Sequence, residues 1–224
     1  MFTVLSAGIA PGLALLCYFY LKDQYETEPL LIVLKMFIYG GFLTLPVMFI
    51  QYVFSAEGIV HSDFLQAFFS SGMIEELFKW LVLFYAIYGH AEFDEPYDGI
   101  VYATSVSLGF ATVENILYLI ANGVEFAFSR ALLPVSSHAL FGVIMGYYLG
   151  KSKFFSPGKK RTGLFLSLFL PFVLHGLYDY ILFLKETWMY VIIPFMLFLW
   201  WLGLKKVKDA RIVTEHYKKG LLSK

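Results

Sequence analysis

The sequence predicts an all-α fold, a polytopic membrane bundle of about seven transmembrane helices. Of its 224 residues, 59% are hydrophobic and only 15% are charged, and the mean hydropathy is +0.69. This composition excludes a soluble globular domain. In lipid every backbone polar group must be paired within the protein, so only helices or a closed barrel can span the bilayer. Long unbroken apolar runs favour helices over the short alternating strands of a barrel.

Seven apolar runs are each long enough to cross a bilayer. The first has no basic segment before it and is followed by Lys22-Asp-Gln-Tyr-Glu instead of a small-residue cleavage site, so we expect it to be a retained span. The second is long enough to tilt, or to break at Gly40-Gly41 or Pro46. The seven runs fall at 2–20, 29–54, 63–88, 98–120, 132–150, 162–184 and 187–204.

Two concentrations of lysine and arginine predict the orientation, because cytoplasmic loops accumulate these residues. Residues 151–161, the fifth loop, hold five of them and residues 205–224 hold seven. Two spans separate the two segments, so both lie on one side, which predicts that they are cytoplasmic and that the N-terminus is external. Residues 1–204 are then one membrane domain, and residues 205–224 are a basic cytoplasmic tail. The formal net charge of zero gives no indication of a nucleic-acid partner, and lipid is the expected surrounding.

Two further features are interpreted as structural. Asp94, Glu95 and Asp98 stand at the start of the fourth span, where we expect them to cap the helix and stay hydrated. Cys17 is the single cysteine, which excludes an internal disulfide, and its apolar surroundings predict a small buried side chain.

Four of the predicted spans carry ionisable side chains at bilayer depth, where each costs a few kcal/mol and needs a partner, a water-filled cavity or a role. Lys79 follows the two glutamates by four and three residues, so it can partly neutralise them while one carboxylate is left over. His175 and Asp179 are four residues apart and share a helix face. The predicted orientation places all of these groups in the middle to outer half of the membrane, which favours one shared site. The candidates are Glu75, Glu76, Glu114, His138, His175 and Asp179.

The chemistry of these groups points to water activation or to metal binding. Carboxylates and imidazoles in a dry cavity can act as a general base, protonate a leaving amine, or hold a divalent metal such as zinc. Glu114, His138 and His175 are the metal candidates, although no HExxH motif is present. Pro134 and Pro171 each precede a histidine by four residues, where a kink would open the helix wall and free a carbonyl for water.

Other functions are compatible with the same residues. Ser136 and Ser137 adjoin His138, but the Gly-x-Ser-x-Gly motif of a serine nucleophile is absent. Buried glutamate and histidine also form the proton relays of transporters and channels, although the inverted repeat typical of many transporters is not visible. A satisfied hydrogen-bond network in a non-catalytic membrane scaffold is a third alternative.

Four motifs, in chain order, resemble the PrsW family of bacterial intramembrane proteases, which is distantly similar to the CAAX prenyl protease and bacteriocin-processing group. The likeness runs from about Ala7 to Trp201, which is nearly the whole chain. The motifs are Glu75-Glu76 followed by Lys79, Phe110-x-x-x-Glu114-Asn115, His138, and His175-x-x-x-Asp179.

The resemblance implies an intramembrane endopeptidase of the bacterial cell membrane, with residues 1–204 as its catalytic domain. Its implied reaction is the site-1 cut in a single-span anti-sigma factor, which starts the release of an extracytoplasmic-function sigma factor during envelope stress. By position, Glu75 and Glu76 would activate water, and His175 with Asp179 would stabilise the oxyanion or bind metal.

Two positions depart from the motifs of the wider group. Glu114 stands where that group has histidine, and Trp80 stands where it has arginine, with Lys79 beside it. Glu114 would then serve as a base or ligand, with His138 supplying the imidazole. The resemblance leaves metal dependence open.

Overall fold

The computed structural model describes residues 1–154 and 157–222, and this part of the chain is helical with no strand. Six helical segments are long and apolar enough to cross a membrane, which confirms the all-α polytopic bundle. The α-helices in chain order are α1 Phe2–Tyr20, α2 Leu30–Ala56, α3 Asp63–Leu65, α4 Ile74–Ala86, α5 Asp98–Asn122, α6 Ala127–Arg130, α7 Ser136–Phe154, α8 Pro157–Leu182 and α9 Trp188–Leu222.

The predicted third span, 63–88, is a composite helix. The π-helix Gln66–Met73 joins α3 to α4 without a break, and α4 alone has 13 residues. By length and composition this segment is not one of the six candidate spans. The difference from the predicted seven therefore lies in this segment, which the run of apolar residues did not distinguish from a regular α-helix.

Helices α5 and α7 form the centre of the bundle. In their most apolar windows 78% of the residues are buried, compared with 17% in α1 and 22% in α9. Helices α1 and α9 therefore face lipid over most of their surface. Gly99 and Gly146 allow the two central helices to approach closely, because a Cβ on Gly146 would lie 2.0 Å from the Gly99 carbonyl oxygen. Small residues at such contacts are a common way to pack helices in membranes.

Helix α2 is continuous through Gly40-Gly41 and Pro46, so the break considered for it does not occur. The prediction for Cys17 was wrong, since its side chain is exposed. The buried positions of α1 are Gly8, Gly12, Leu16 and Phe19, a stripe at helical spacing that leaves Cys17 outside it.

The basic tail continues α9 as a helix to residue 222 and packs on two loops. Arg211 Nε donates to Gln24 Oε1 at 2.9 Å, and Thr214 Oγ1 accepts the backbone N–H of Tyr97 at 3.1 Å. Lys218 Nζ lies 2.6 Å from Glu95 Oε2. Residues of the α1–α2 loop, the α4–α5 loop and the tail thus meet at one end of the bundle.

The acidic residues at the start of α5 were predicted to stay hydrated, but not all of them do. Asp98 does not cap the helix as predicted, because α5 begins without a side-chain cap. Its Oδ2 instead accepts the backbone N–H groups of Asp94 and Glu95 in the preceding loop, at 2.8 and 2.7 Å. Glu95 and Asp98 are completely buried. Glu28 is buried beside them, and burial, together with the nearby Asp98 carboxylate, raises its pKa to about 10. The expectation was wrong because the tail helix and the α1–α2 loop cover these positions.

Candidate active site

The six side chains predicted to share a site do meet, toward the end of the bundle opposite the docked tail. Helix α4 contributes the two adjacent glutamates, α5 and α7 contribute one residue each, and α8 contributes two. Glu75, Glu76, His138 and His175 each offer one oxygen or nitrogen atom within 4.8 Å of the others. Two more predicted residues border this group, Glu114 beside His138 and Asp179 beside His175.

A π-helix precedes two of the site residues. Gln66–Met73 ends just before Glu75, and Ala131–Val135, which contains Pro134, ends three residues before His138. Widened turns of this kind are frequent at functional sites. Pro134 therefore lies in a widened turn, whereas α8 continues as an α-helix through Pro171.

A close contact between two glycines brings the glutamates to His175. A Cβ on Gly72 would lie 2.9 Å from the backbone nitrogen of Gly176 and 3.1 Å from its Cα. The π-helix and α8 therefore touch backbone to backbone one residue beyond His175. This contact fixes the distance between the carboxylates at the start of α4 and the imidazole on α8.

Glu76 is completely buried and orients His175. Its Oε1 accepts from Lys79 Nζ at 2.7 Å and lies 2.9 Å from His175 Nδ1. Its Oε2 has no hydrogen-bond partner among the described residues. The imidazole also stacks on the ring of Phe141, with centroids 5.0 Å apart and planes 21° apart. With Nδ1 held in this way, the Nε2 atom of His175 points to the rest of the site.

Glu75 lies where the other groups converge. Its Oε2 is 3.4 Å from Lys79 Nζ, 3.9 Å from His175 Nε2 and 4.0 Å from His138 Nε2. Its Oε1 accepts from Gln51 Nε2 at 3.0 Å. Unlike Glu76, Glu75 borders an open cavity, so it is the glutamate that a water or a substrate can reach.

A second hydrogen-bonded chain runs through Glu114. Its Oε2 is 3.1 Å from His138 Nε2, and its Oε1 accepts from Arg130 at 3.0 Å. The Arg130 Nε also donates to Asn115 Oδ1 at 3.0 Å, and the guanidinium lies over the ring of Tyr118 at 4.2 Å. Glu114 is thus held from two sides, and it fixes the outer edge of the His138 ring.

The cavity beside Glu75 has a volume of about 520 Å³, within the range of small-molecule and peptide sites. Its wall combines polar and apolar side chains, which suits a peptide group flanked by apolar side chains. The polar side chains come from the π-helix Gln66–Met73 and from α4 to α8, and the apolar ones come mainly from the segment that joins α5 to α7 and from the end of α8. The lining includes Ser71, Glu75, Glu114, Arg130, His138, His175 and Asp179, together with Phe126, Leu133, Tyr178, Leu182 and Trp188.

Three residues of the site were not predicted as members. Ser71 donates a short hydrogen bond to Asp179 and a longer one, at 3.4 Å, to Glu75. Gln51 holds Glu75 from α2, and Arg130 holds Glu114. Gln51 could have been found, since it is an amide near the end of a run in which Lys35 is the single charged residue. Arg130 falls between the predicted spans 98–120 and 132–150 and so outside the predicted bilayer depth, and Ser71 carries no charge that would distinguish it.

The residues fit a divalent metal. Two imidazoles and a carboxylate are a common donor set of catalytic zinc sites. His138 and His175 supply the imidazoles, and Glu75 and Glu114 are the neighbouring carboxylates. A carboxylate on the far nitrogen of a ligating histidine orients the ring in such sites, as Glu76 does for His175. The buried and unpartnered Glu76 Oε2 is a further available donor. Of the three predicted metal candidates, Glu114 lies outside the four-residue group and contacts it through His138.

Comparisons with known proteins agree with this geometry. A family model described as PrsW family intramembrane metalloprotease matches residues 28–202. The Protease PrsW of Geobacillus kaustophilus is 62% identical over 211 residues, which cover 94% of this chain and 93% of that protein. The Protease PrsW of Bacillus subtilis is 59% identical over 96% of this chain and 98% of its own length. The Protease PrsW of Clostridioides difficile is 32% identical over 84% of this chain and 82% of its own length. No solved structure matches.

Proposed function

Because the chain belongs to the PrsW family of intramembrane metalloproteases, we propose that it makes the site-1 cut in a single-span anti-sigma factor of a bacterial cell membrane. The cut starts a proteolytic cascade that ends in the release of a stress sigma factor. That the chain is a multi-pass membrane protease follows from the family and from its six candidate spans. The substrate class is part of the proposal and rests on the resemblance of the four motifs.

The observation that carries the proposal is the position of Glu75, which borders the cavity within 4.0 Å of two imidazoles. In this role Glu75 takes the proton of a cavity water as that water attacks the peptide carbonyl, and delivers it to the leaving amine. Glu76 and Lys79 keep the His175 ring in place. Asp179, held by Ser71, borders the opposite side of His175 Nε2, at 3.5 Å.

We propose zinc as the metal, held by His138 and His175, with Glu75 kept as the base and not as a ligand. When bound, zinc polarises the scissile carbonyl and makes a coordinated water more acidic. His138 Nε2 lies 3.1 Å from Glu114 and 4.0 Å from Glu75, so the ring can turn from a hydrogen bond with Glu114 to the metal. Glu114, fixed by Arg130, then remains beside the site as a base or an additional ligand.

The proposed orientation places the N-terminus outside and both the fifth loop and the C-terminus in the cytoplasm. In support, the α1–α2 loop, the α4–α5 loop and the tail, all three predicted to be cytoplasmic, meet at one end of the bundle. The site lies toward the other end. Cleavage would therefore occur in the outer half of the membrane, near the external side of the substrate span.

The test is cleavage by the purified protein in proteoliposomes of a single-span anti-sigma factor, beside an unrelated single-span protein with a span of equal length. Glu75→Gln, Glu76→Gln and His175→Ala should each lower the cleavage rate by roughly 10²–10⁴-fold. Glu57→Gln, an exposed glutamate at the end of α2, is the matched control and should cleave normally. Full activity of all three site variants would refute the site, and equal cleavage of both substrates would refute the anti-sigma factor as the preferred substrate.

Metal dependence has its own test. Dialysis against a chelator should abolish cleavage, and a stoichiometric amount of Zn²⁺ should restore it. The purified wild type should contain about one zinc per chain, and His175→Ala should contain much less. Undiminished activity in a protein shown by elemental analysis to be free of metal would exclude the proposed zinc site.

A further inference from the structure

A second group of buried acids lies at the end of the bundle away from the active site. Asp23 comes from the α1–α2 loop, Glu95 from the α4–α5 loop, and Asp98 is the first residue of α5. Each offers one carboxylate oxygen within 4.8 Å of the others, and at most 7% of any of the three residues is exposed. Asp98 and Glu114 are separated by 16 residues of one helix, or roughly 24 Å along its axis.

Three oxygen atoms in this group have neither a hydrogen bond nor an ion pair among the described residues, namely Asp23 Oδ2, Glu95 Oε1 and Asp98 Oδ1. A fourth, Glu95 Oε2, also has no hydrogen bond but is paired with Lys218. A buried carboxylate oxygen without a partner costs free energy, and like charges at this distance add to the cost. Unpartnered oxygens from two separate parts of the chain, directed to one place, therefore require either shared protons or a bound cation.

When ionised, this group carries more negative charge than the basic group in contact with it can balance. Lys218 Nζ lies 2.6 Å from Glu95 Oε2 and 3.2 Å from the exposed Glu26. Burial raises the pKa of Glu95 to about 7, so without a bound ion this charge is reduced by protonation. Three ionised carboxylates and one ammonium leave two negative charges, and the donors are all oxygen atoms. Ca²⁺ and Mg²⁺ prefer such oxygen ligands, whereas the active site offers imidazole nitrogen as well.

We propose that Asp23, Glu95 and Asp98 bind one hard divalent cation, Ca²⁺ or Mg²⁺, at the end of the bundle opposite the active site. The ion would balance the two remaining negative charges, and the three unpartnered oxygens would coordinate it. It would also fasten the α1–α2 loop and the α4–α5 loop to the helical extension of α9, which reaches the same group through Lys218.

The experiment is equilibrium dialysis of the purified full-length protein with radioactive Ca²⁺ alone, after treatment with a chelator. We expect one Ca²⁺ per chain, displaced by Mg²⁺, and at least about tenfold weaker binding in Asp98→Asn and in Glu95→Gln. Asp94→Asn is the matched control, because Asp94 is an exposed acid in the same loop. His175→Ala should bind Ca²⁺ normally, which separates this site from the active site.

Thermal unfolding adds a readout that a purely structural role of Asp98 would not produce. Without divalent ions, Asp98→Asn should unfold at a higher temperature than wild type, because a buried like charge is removed while one oxygen remains to accept the loop N–H groups. With saturating Ca²⁺ the order should reverse. No Ca²⁺ or Mg²⁺ binding by wild type at millimolar concentration, or unchanged binding in both variants, would overturn the proposal and indicate that shared protons satisfy these carboxyls.

Discussion

Lys79 is the residue on which the charge of the active site depends. It is completely buried and lies 2.7 Å from Glu76, 3.4 Å from Glu75 and 3.1 Å from His138 Nδ1, with the ring of Phe110 at 4.3 Å. Two adjacent carboxylates in lipid would otherwise repel each other with no nearby charge to offset them. The lysine therefore supplies the positive charge that offsets this buried pair of carboxylates.

Replacing Lys79 with methionine should destabilise the protein by about 3–5 kcal/mol, because it leaves two buried carboxylates without their cation. The double variant Lys79→Met, Glu76→Gln should regain a large part of that loss yet remain inactive, since the neutral amide that replaces the Glu76 carboxylate cannot accept a proton or balance His175. Denaturant unfolding in detergent micelles, together with the cleavage assay, measures both effects. Equal stability of the single variant and wild type would contradict this account of Lys79.

The composite segment of α3, the π-helix and α4 is the element that sets the position of the glutamates. Its π-helical part packs on α8 through Gly72 and Gly176, and the first turn of α4 then presents Glu75 and Glu76 to His175. The precision of the site is thus set by a backbone contact and not by the length of a side chain.

Gly72→Ala should lower the cleavage rate by about 10²-fold, because the added Cβ meets the backbone of Gly176 and shifts the reacting groups apart by a few tenths of an ångström or more. Gly89→Ala is the control, since a Cβ there meets nothing within 4 Å. The rate constant at saturating substrate is the measurement, with circular dichroism to confirm folding. A fully active Gly72→Ala would show that the helices can separate without harm.

The regular helices could be predicted from the sequence, because a run of apolar residues specifies a span whatever it packs against. The π-helix at Gln66–Met73 could not, since nothing local to the sequence requires it and the contact with Gly176 is made by a residue about 100 positions away. The charged members of the site could be predicted, because a charge in lipid is costly whatever it packs against and therefore indicates a role. Ser71 and Gln51 are neutral, and only the folded structure shows that they hold Asp179 and Glu75.

At the scale of the whole molecule, the tail helix acts as a brace across one end of the bundle. The number of basic residues in a tail predicts the side of the membrane on which the tail lies, but not which residues the tail contacts. The ion pair between Lys218 and Glu95 could therefore not be predicted from the sequence. The bridge joins the last helix to the loop before α5, and α5 continues to Glu114 in the active site.

Adjacent lysines provide a matched test of this brace. Lys218→Met should lower the free energy of unfolding by about 2–3 kcal/mol, because it leaves the completely buried Glu95 without its ion pair. Lys219→Met should leave it nearly unchanged, since Lys219 pairs with the exposed Glu215. Both are compared with wild type in detergent containing a chelator, so that no divalent ion contributes. Similar losses in the two variants would argue against a specific role for the Lys218 contact.

The composite helix also has a consequence for how the protein is made. Glu75, Glu76 and Lys79 each add about 3 kcal/mol to the cost of placing an isolated helix in lipid, and the partner that receives Glu76 is synthesised 99 residues later. The segment therefore does not partition stably into the bilayer as it leaves the ribosome. We expect the translocon to retain it until α8 has been synthesised, so that this segment enters the membrane as the active site assembles.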